Sequence, residues 1–192
     1  MTETEFLNQI NISVSKKSIG FDSLEIIGMF IPNTYQAFWD TSPENLIDKL
    51  RKEYENFWND ERKAKADAIG LTPKEVSVLA SIVQAETANS SELKTVAGLY
   101  MNRLNRGIAL QADPTLVFAA RDFSIKRVLN VHKEIDSPYN TYMYRGLPPG
   151  PINMPEMKAI DAVLNYEKHN YIYMCAKEDF SENHNFATNL ID

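Results

Sequence analysis

Near the middle of the chain the run Leu79 to Thr87 reads LASIVQAET, and its one acid, Glu86, continues an apolar stripe. Leu79, Ile82 and Val83 precede it at helical spacing, so one inward face carries aliphatic side chains and then a carboxylate. A bare acid on such a face is costly unless it is paired, protonated or functional. Burial disfavours the charged form, and the partial negative charge at the end of its helix acts in the same direction. Asp113, if folded back beside it, adds repulsion. A carboxylic acid held protonated near neutral pH suits cleavage of a glycosidic bond, because the leaving oxygen must receive a proton as the bond breaks. The same pattern also admits an acid neutralised by Arg103, or one exposed at a fraying helix end.

Glycosidases that work with two carboxylates need a second acid at a defined separation. Asp113, within Gln111-Ala112-Asp113-Pro114-Thr115, is the candidate near this segment, although Asp before Pro serves equally as a turn or helix cap. Gln111, Tyr139 and Asn140 offer amide and phenol groups suited to sugar hydroxyls and N-acetyl groups, and equally suited to ordinary loop contacts. Other chemistries lack their markers. His132, His169 and His184 do not have the close helical spacing of a zinc site, so no metal is expected. No G-x-S-x-G elbow and no phosphate-binding glycine loop occur.

The elements that must hold Glu86 are marked by their ends. Thr72-Pro73-Lys74-Glu75 is a capping box that launches the helix carrying Glu86 near its C-terminal end. Asn89 to Glu92 repeats the cap-then-acid spacing and starts a second helix, with Val96, Leu99, Tyr100 and Leu104 on one face and Gly107 as its stop. The short link between them makes the two helices neighbours and puts Glu86 at a corner. Upstream, Ser42-Pro43-Glu44 opens a helix whose apolar positions run through Tyr54, Phe57 and Trp58. Its charged far end is expected to continue through Asp67 to a stop at Gly70. Residues 1–40 read as polar turns and short apolar runs. Between Ile108 and Pro155 turn chemistry dominates, with a short helix and connector expected over Arg121 to Asp136. A helix from Pro155 to about Tyr166 precedes two β-prone runs, Tyr171 to Ala176 and His184 to Thr188, which pair as a hairpin. The order predicts an α+β fold, with a helical core carrying the acid on a helix end and a small antiparallel sheet near the C-terminus.

Composition narrows the classes further. At 192 residues and 44% apolar content the chain can build one domain with a sizeable core. A net charge of -6 argues against a nucleic-acid partner, and the lone Cys175 rules out an internal disulfide. No apolar run has the length to span a bilayer, and MTETEFLNQ has no signal-peptide pattern, so the chain reads as soluble.

Several separated motifs together resemble the MltG (YceG-like) endolytic murein transglycosylases. They are Leu79-Ala80-Ser81-Ile82-Val83-Gln84-Ala85-Glu86-Thr87, Val96-Ala97, Asn102-Arg103-Leu104 and Leu110-Gln111-Ala112-Asp113-Pro114-Thr115. Tyr139-Asn140-Thr141-Tyr142, Gly146-Leu147-Pro148-Pro149-Gly150-Pro151-Ile152 and His184-Asn185-Phe186-Ala187-Thr188-Asn189 follow in order. Gly28 to Tyr35 is similar to the family's segment leading into the catalytic part, so the likeness runs from about residue 26 to the end. It implies that residues 1–40 are the remnant of an N-terminal subdomain and residues 41–192 the catalytic domain. Family members often have Glu-Lys-Glu where this chain has Gln84-Ala85-Glu86, so only the second acid is present.

The resemblance implies Glu86 as catalytic acid, with Gln111, Asp113, Tyr139 and Asn140 in motifs lining a glycan cleft and His184 and Asn189 in a third. It implies a lyase reaction on the bond between N-acetylmuramic acid and N-acetylglucosamine, leaving 1,6-anhydro ends, with no cofactor. Peptidoglycan strands are the implied substrate and peptidoglycan synthases possible partners. The implied location is the extracytoplasmic face of the bacterial inner membrane, reached through an N-terminal membrane helix that precedes the catalytic part in the family. A lysozyme- or chitinase-like hydrolase, with Asp113 as second carboxylate, remains an alternative. So does a non-catalytic glycan-binding scaffold.

Overall fold

The structure is a computed structural model that describes residues 1–179 and 183–190. Its centre is α4 (Pro73–Glu86), a helix buried on nearly every side. Every residue from Val76 to Val83 is buried, the mark of a central helix and not of a surface one. Small residues make this possible, because Ser77, Ala80 and Ser81 let neighbouring backbone approach. The capping box at its start is present: the Thr72 hydroxyl accepts from the Glu75 N–H, and the Glu75 carboxylate accepts from the Thr72 N–H. Glu86 is the last helical residue, with Thr87 already extended.

α5 (Leu93–Asn105) and α7 (Met157–Leu164) pack on α4, and together they form the main core. Gly98 of α5 passes so close to the following chain that a Cβ there would lie 2.3 Å from the Glu167 carbonyl oxygen. β1 (Tyr173–Ala176) and β2 (His184–Ala187) form the expected antiparallel hairpin, with Tyr173 opposite Ala187. The whole is α+β, with helices and a small C-terminal sheet segregated along the chain.

The structure departs from the sequence reading in several places. Residues 1–40 contain a full helix, α1 (Glu3–Ser15), opened by a Thr2–Glu5 capping box. Its Phe6, Ile10 and Val14 join a second apolar cluster with Ile19, Phe21, Met29 and Ile47, next to a 3-10 turn at Ile26–Met29. The helix opened at Ser42 does not run to Gly70. α2 (Pro43–Phe57) ends at the buried Trp58, and Asn59 caps a separate α3 (Asp60–Ala68) by accepting from the Arg62 N–H. The loop expected after Ile108 holds α6 (Asp113–Ala120), an apolar helix with Pro114 in its first turn. Over Arg121 to Asp136 the only helical piece is a 3-10 turn at Asn130–Glu134.

Candidate active site

Glu86 stands where two cavities meet. One, of about 720 Å³, is lined by Glu86, Asp113, Val117, Phe118 and the 123–128 segment. The other, of about 210 Å³, is lined by Glu86, Tyr100, Arg103, Gln111, Asp113 and Tyr142. A separate cavity of about 950 Å³ lies at Tyr35 to Lys49, remote in sequence from both acids and lined by neither. The Glu86 side chain is partly exposed, yet its carboxyl is set among packed groups, and desolvation dominates its ionisation. Burial pushes its pKa from the ordinary 4.5 up to about 7. The nearby charge of Asp113 adds to the rise, while His184 and Arg103 oppose it.

The direct partner of the carboxyl is Tyr100, whose hydroxyl donates to Glu86 Oε1 at 2.6 Å. Tyr100 is buried on α5, one helix away, and its own pKa is raised well above normal, chiefly by burial. A donor to the charged form lowers the acid's pKa, so this bond is the main restraint on the effect of burial. It also engages one carboxyl oxygen, which orients the other.

Arg103 does not clamp Glu86. Its guanidinium donates to the carbonyls of Ile172, Ala109 and Leu110, the last at 2.7 Å, and to Gln111 Oε1 at 3.4 Å. Next to it, Asn102 donates to the carbonyls of His169 and Tyr171. The Asn-Arg pair therefore stitches α5 to the C-terminal strand and to the loop that delivers Gln111. That loop takes a strained form, because Gln111 adopts φ 52°, a left-handed conformation uncommon for a residue with a Cβ.

Thr141 holds the far side of the same loop. Its carbonyl accepts from the Gln111 N–H, and its hydroxyl meets the Ala112 N–H at 3.0 Å and the Thr115 hydroxyl at 2.8 Å. The two motifs thus lock together and place Asp113 at the first position of α6. There Tyr142 donates its hydroxyl to Asp113 Oδ1 at 2.5 Å.

Glu86, Asp113 and Gln111 therefore share one cavity. His184 lies within electrostatic reach of Glu86, and its backbone N–H and Nδ1 both meet the Glu92 carboxylate at 2.9 Å. Asn140 is fully buried. Its amide donates to the carbonyls of Lys133 and Ile135, and its oxygen accepts from the N–H groups of Tyr142 and Met143. Tyr139 is also buried, its ring 4.6 Å from that of Phe118, which itself lines the larger cavity. Asn189 is exposed just beyond β2. Among the described residues no group of three His, Cys, Asp or Glu side chains is arranged to hold a metal ion.

Two residues at the site go beyond the sequence reading. Tyr100 reads as core, and its signal is a phenol in an otherwise aliphatic stripe, since a buried hydroxyl needs a partner. Tyr142 belongs to a recognised motif but shows its purpose only once it meets Asp113. Gln84 lines neither of the two cavities at Glu86. It donates to the Met154 carbonyl and accepts from the Glu156 N–H at 2.7 Å, a tie that needs both halves of an amide.

The chain belongs to the YceG-like family, whose sequence model matches residues 2–192. The motifs carry the likeness from about residue 26, and the match adds α1 to it. The chain is 32% identical to the endolytic murein transglycosylase of Bacillus subtilis over 176 residues, covering 91% of this chain and 48% of that protein. It is also 32% identical to the endolytic murein transglycosylase of Streptococcus pneumoniae over 156 residues, covering 78% of this chain and 28% of that one. The chain thus spans less than half the length of these relatives. In structure it matches a yceG-like protein of Listeria monocytogenes with a TM-score of 0.78 at 26% identity, over all of this chain and 63% of that one.

Proposed function

We propose that the chain is the catalytic part of a peptidoglycan lytic transglycosylase, with Glu86 as acid and then base. The observation that carries the reading is the Glu86 carboxyl, held near pKa 7 by burial where two cavities meet. In its protonated form Glu86 gives its hydrogen to the bridging oxygen as the bond to C1 of N-acetylmuramic acid breaks. The resulting carboxylate takes the proton of the same sugar's C6 hydroxyl. The C6 oxygen closes on C1, and a 1,6-anhydro end forms without water as nucleophile. One carboxyl serves both steps, so a pKa near 7 suits both donation and recovery.

Asp113, Tyr142 and Gln111 then bind sugar and steady the positive charge that develops at C1. Tyr139 and Asn140 act from behind, by holding Phe118 and Tyr142 in place, and His184 and Asn189 complete the wall beside the hairpin. On this reading residues 1–40 lead into the catalytic part, 41–192. The intact protein works at the outer face of the cell membrane, where peptidoglycan synthases are its natural partners. The relatives' shared description as endolytic murein transglycosylases supports the substrate class.

A hydrolase reading is favoured by one observation, the presence of Asp113 beside Glu86 as a second carboxylate. Mass spectrometry of digested murein separates the two. Anhydro ends are expected, absent with Glu86→Gln, whereas reducing ends would make the protein a hydrolase. Unchanged cutting by Glu86→Gln would remove Glu86 from the chemistry.

A further inference from the structure

The larger cavity runs away from the two acids along a wall built by residues 123–128. Phe123, Ile125 and Val128 give that wall apolar surface, and Lys126 and Arg127 give it two positive charges. The shape is set locally: Arg121 turns the chain at φ 54° after α6, and Asp122 Oδ1 accepts from the Ser124 N–H and hydroxyl. Phe123, 74% exposed, rests edge-on against Phe118 with ring centres 6.4 Å apart. The Phe118 ring in turn packs on the buried Tyr139, so the wall is anchored to the core.

Lys126 and Arg127 are exposed, and among the described residues neither forms an ion pair or a side-chain hydrogen bond. A bare glycan offers one carboxylate per disaccharide, on the lactyl group, and no apolar side chain to meet Phe123, Ile125 and Val128. The peptide that muramic acid carries on its lactyl group is different, because it brings carboxylates together with methyl side chains. A wall that sets two adjacent cations between apolar residues, in the cavity that also holds the bond-breaking acid, matches that mixture.

We propose that the Phe123–Val128 wall is a subsite for the acidic peptide borne by the glycan, and that it makes the protein prefer peptide-bearing strands over bare ones. The inference rests on the murein reading above. Exposed charge contacts are individually weak, so the expected preference is modest and sensitive to salt.

The test compares peptide-bearing strands with the same strands stripped by an amidase, using the parent protein and the double variant Lys126→Ala/Arg127→Ala. The ratio of kcat/KM between the two substrates should fall about 3- to 20-fold in the double variant. It should also shrink in the parent as salt is raised. Lys126→Arg/Arg127→Lys should restore it. The Glu86→Gln protein supplies a second readout: its affinity for peptide-bearing strands should exceed that for stripped ones, and the two charge removals should abolish the difference. If the parent cuts neither substrate, the murein reading fails, and this binding difference still decides the subsite. An unchanged ratio together with an unchanged binding difference overturns the subsite. The subsite is equally overturned if the double variant instead loses binding to phosphatidylglycerol vesicles while treating both strands as the parent does, because the cations would then serve a lipid surface.

Discussion

Replacing Tyr100 with Phe removes one hydroxyl and little else, and it isolates the force that opposes burial at Glu86. The hydroxyl donates to Glu86 Oε1 at 2.6 Å and is the largest influence holding the acid's pKa down, against a burial effect that brings it to about 7. A hydrogen bond to a charged group contributes roughly 1.5–3 kcal/mol. At about 1.4 kcal/mol for each pH unit, its loss should raise the Glu86 pKa by about one to two units. The acid must be protonated to start the reaction, so the alkaline limb of the kcat profile should move upward by that amount. The assay is release of soluble fragments from murein between pH 5 and 10, with folding followed by circular dichroism across the same range. An alkaline limb that stays in place, or moves down, would refute the idea that Tyr100 stabilises the Glu86 carboxylate.

Asp113→Asn should act in the opposite direction, because it removes a charge that raises the Glu86 pKa; its alkaline limb should fall below that of the parent. Glu86→Gln should abolish fragment release and stabilise the fold in alkali. The folded pKa of about 7 lies above the ordinary 4.5, so the folded state holds the proton more tightly and loses stability as pH rises from 4.5 through 7. That penalty amounts to roughly 3 kcal/mol by pH 8 and vanishes below pH 4, so melting curves of parent and variant should separate only at the higher pH. Gly98→Ala should destabilise by about 1–3 kcal/mol, because the new methyl meets the Glu167 carbonyl and the His169 ring; urea titration checks this. Arg103→Met should cost at least about 2 kcal/mol in a urea titration, because it strips the donor from the buried carbonyl of Leu110 and the half-buried carbonyl of Ile172.

What sequence reveals here is local. The Thr72–Glu75 capping box, the apolar run of α4 and the Gly107 stop are complete within a few residues, so α4, the end of α5 and the position of Glu86 can be read directly, whereas the cap expected at Asn89 is a turn onto Ser91 and α5 starts only at Leu93, after Glu92. α6 escapes because DPTLVFAA has no polar face to supply a period, and Asp113-Pro114 suggests a turn as readily as a helix start. The break at Trp58 escapes because the charged run after it keeps helical composition; only the Asn59 side chain, accepting from the Arg62 N–H, restarts the helix. α1 is hidden by Asn, Ser, Ile and Val, which favour helices weakly, although its Thr2–Glu5 capping box is plain in the sequence.

At the site, residue types point to the acid but not to its partner. The Tyr100 contact exists only because α5 crosses α4 at the height of Glu86, a tertiary fact. Asn140 shows the converse. Its amide suits a sugar, yet its side chain bonds to the protein's own backbone on both the nitrogen and the oxygen side, and so positions Tyr142.

The measurement that reaches the central claim most directly is a titration of the Glu86 side-chain carboxyl by carbon-13 NMR, assigned by difference from Glu86→Gln. A midpoint near 7 is predicted from burial of the carboxyl beside Tyr100, with the charge of Asp113 close by. A midpoint near the ordinary 4.5 would mean that the carboxyl is ionised at neutral pH, and the proposed proton donation would have no donor.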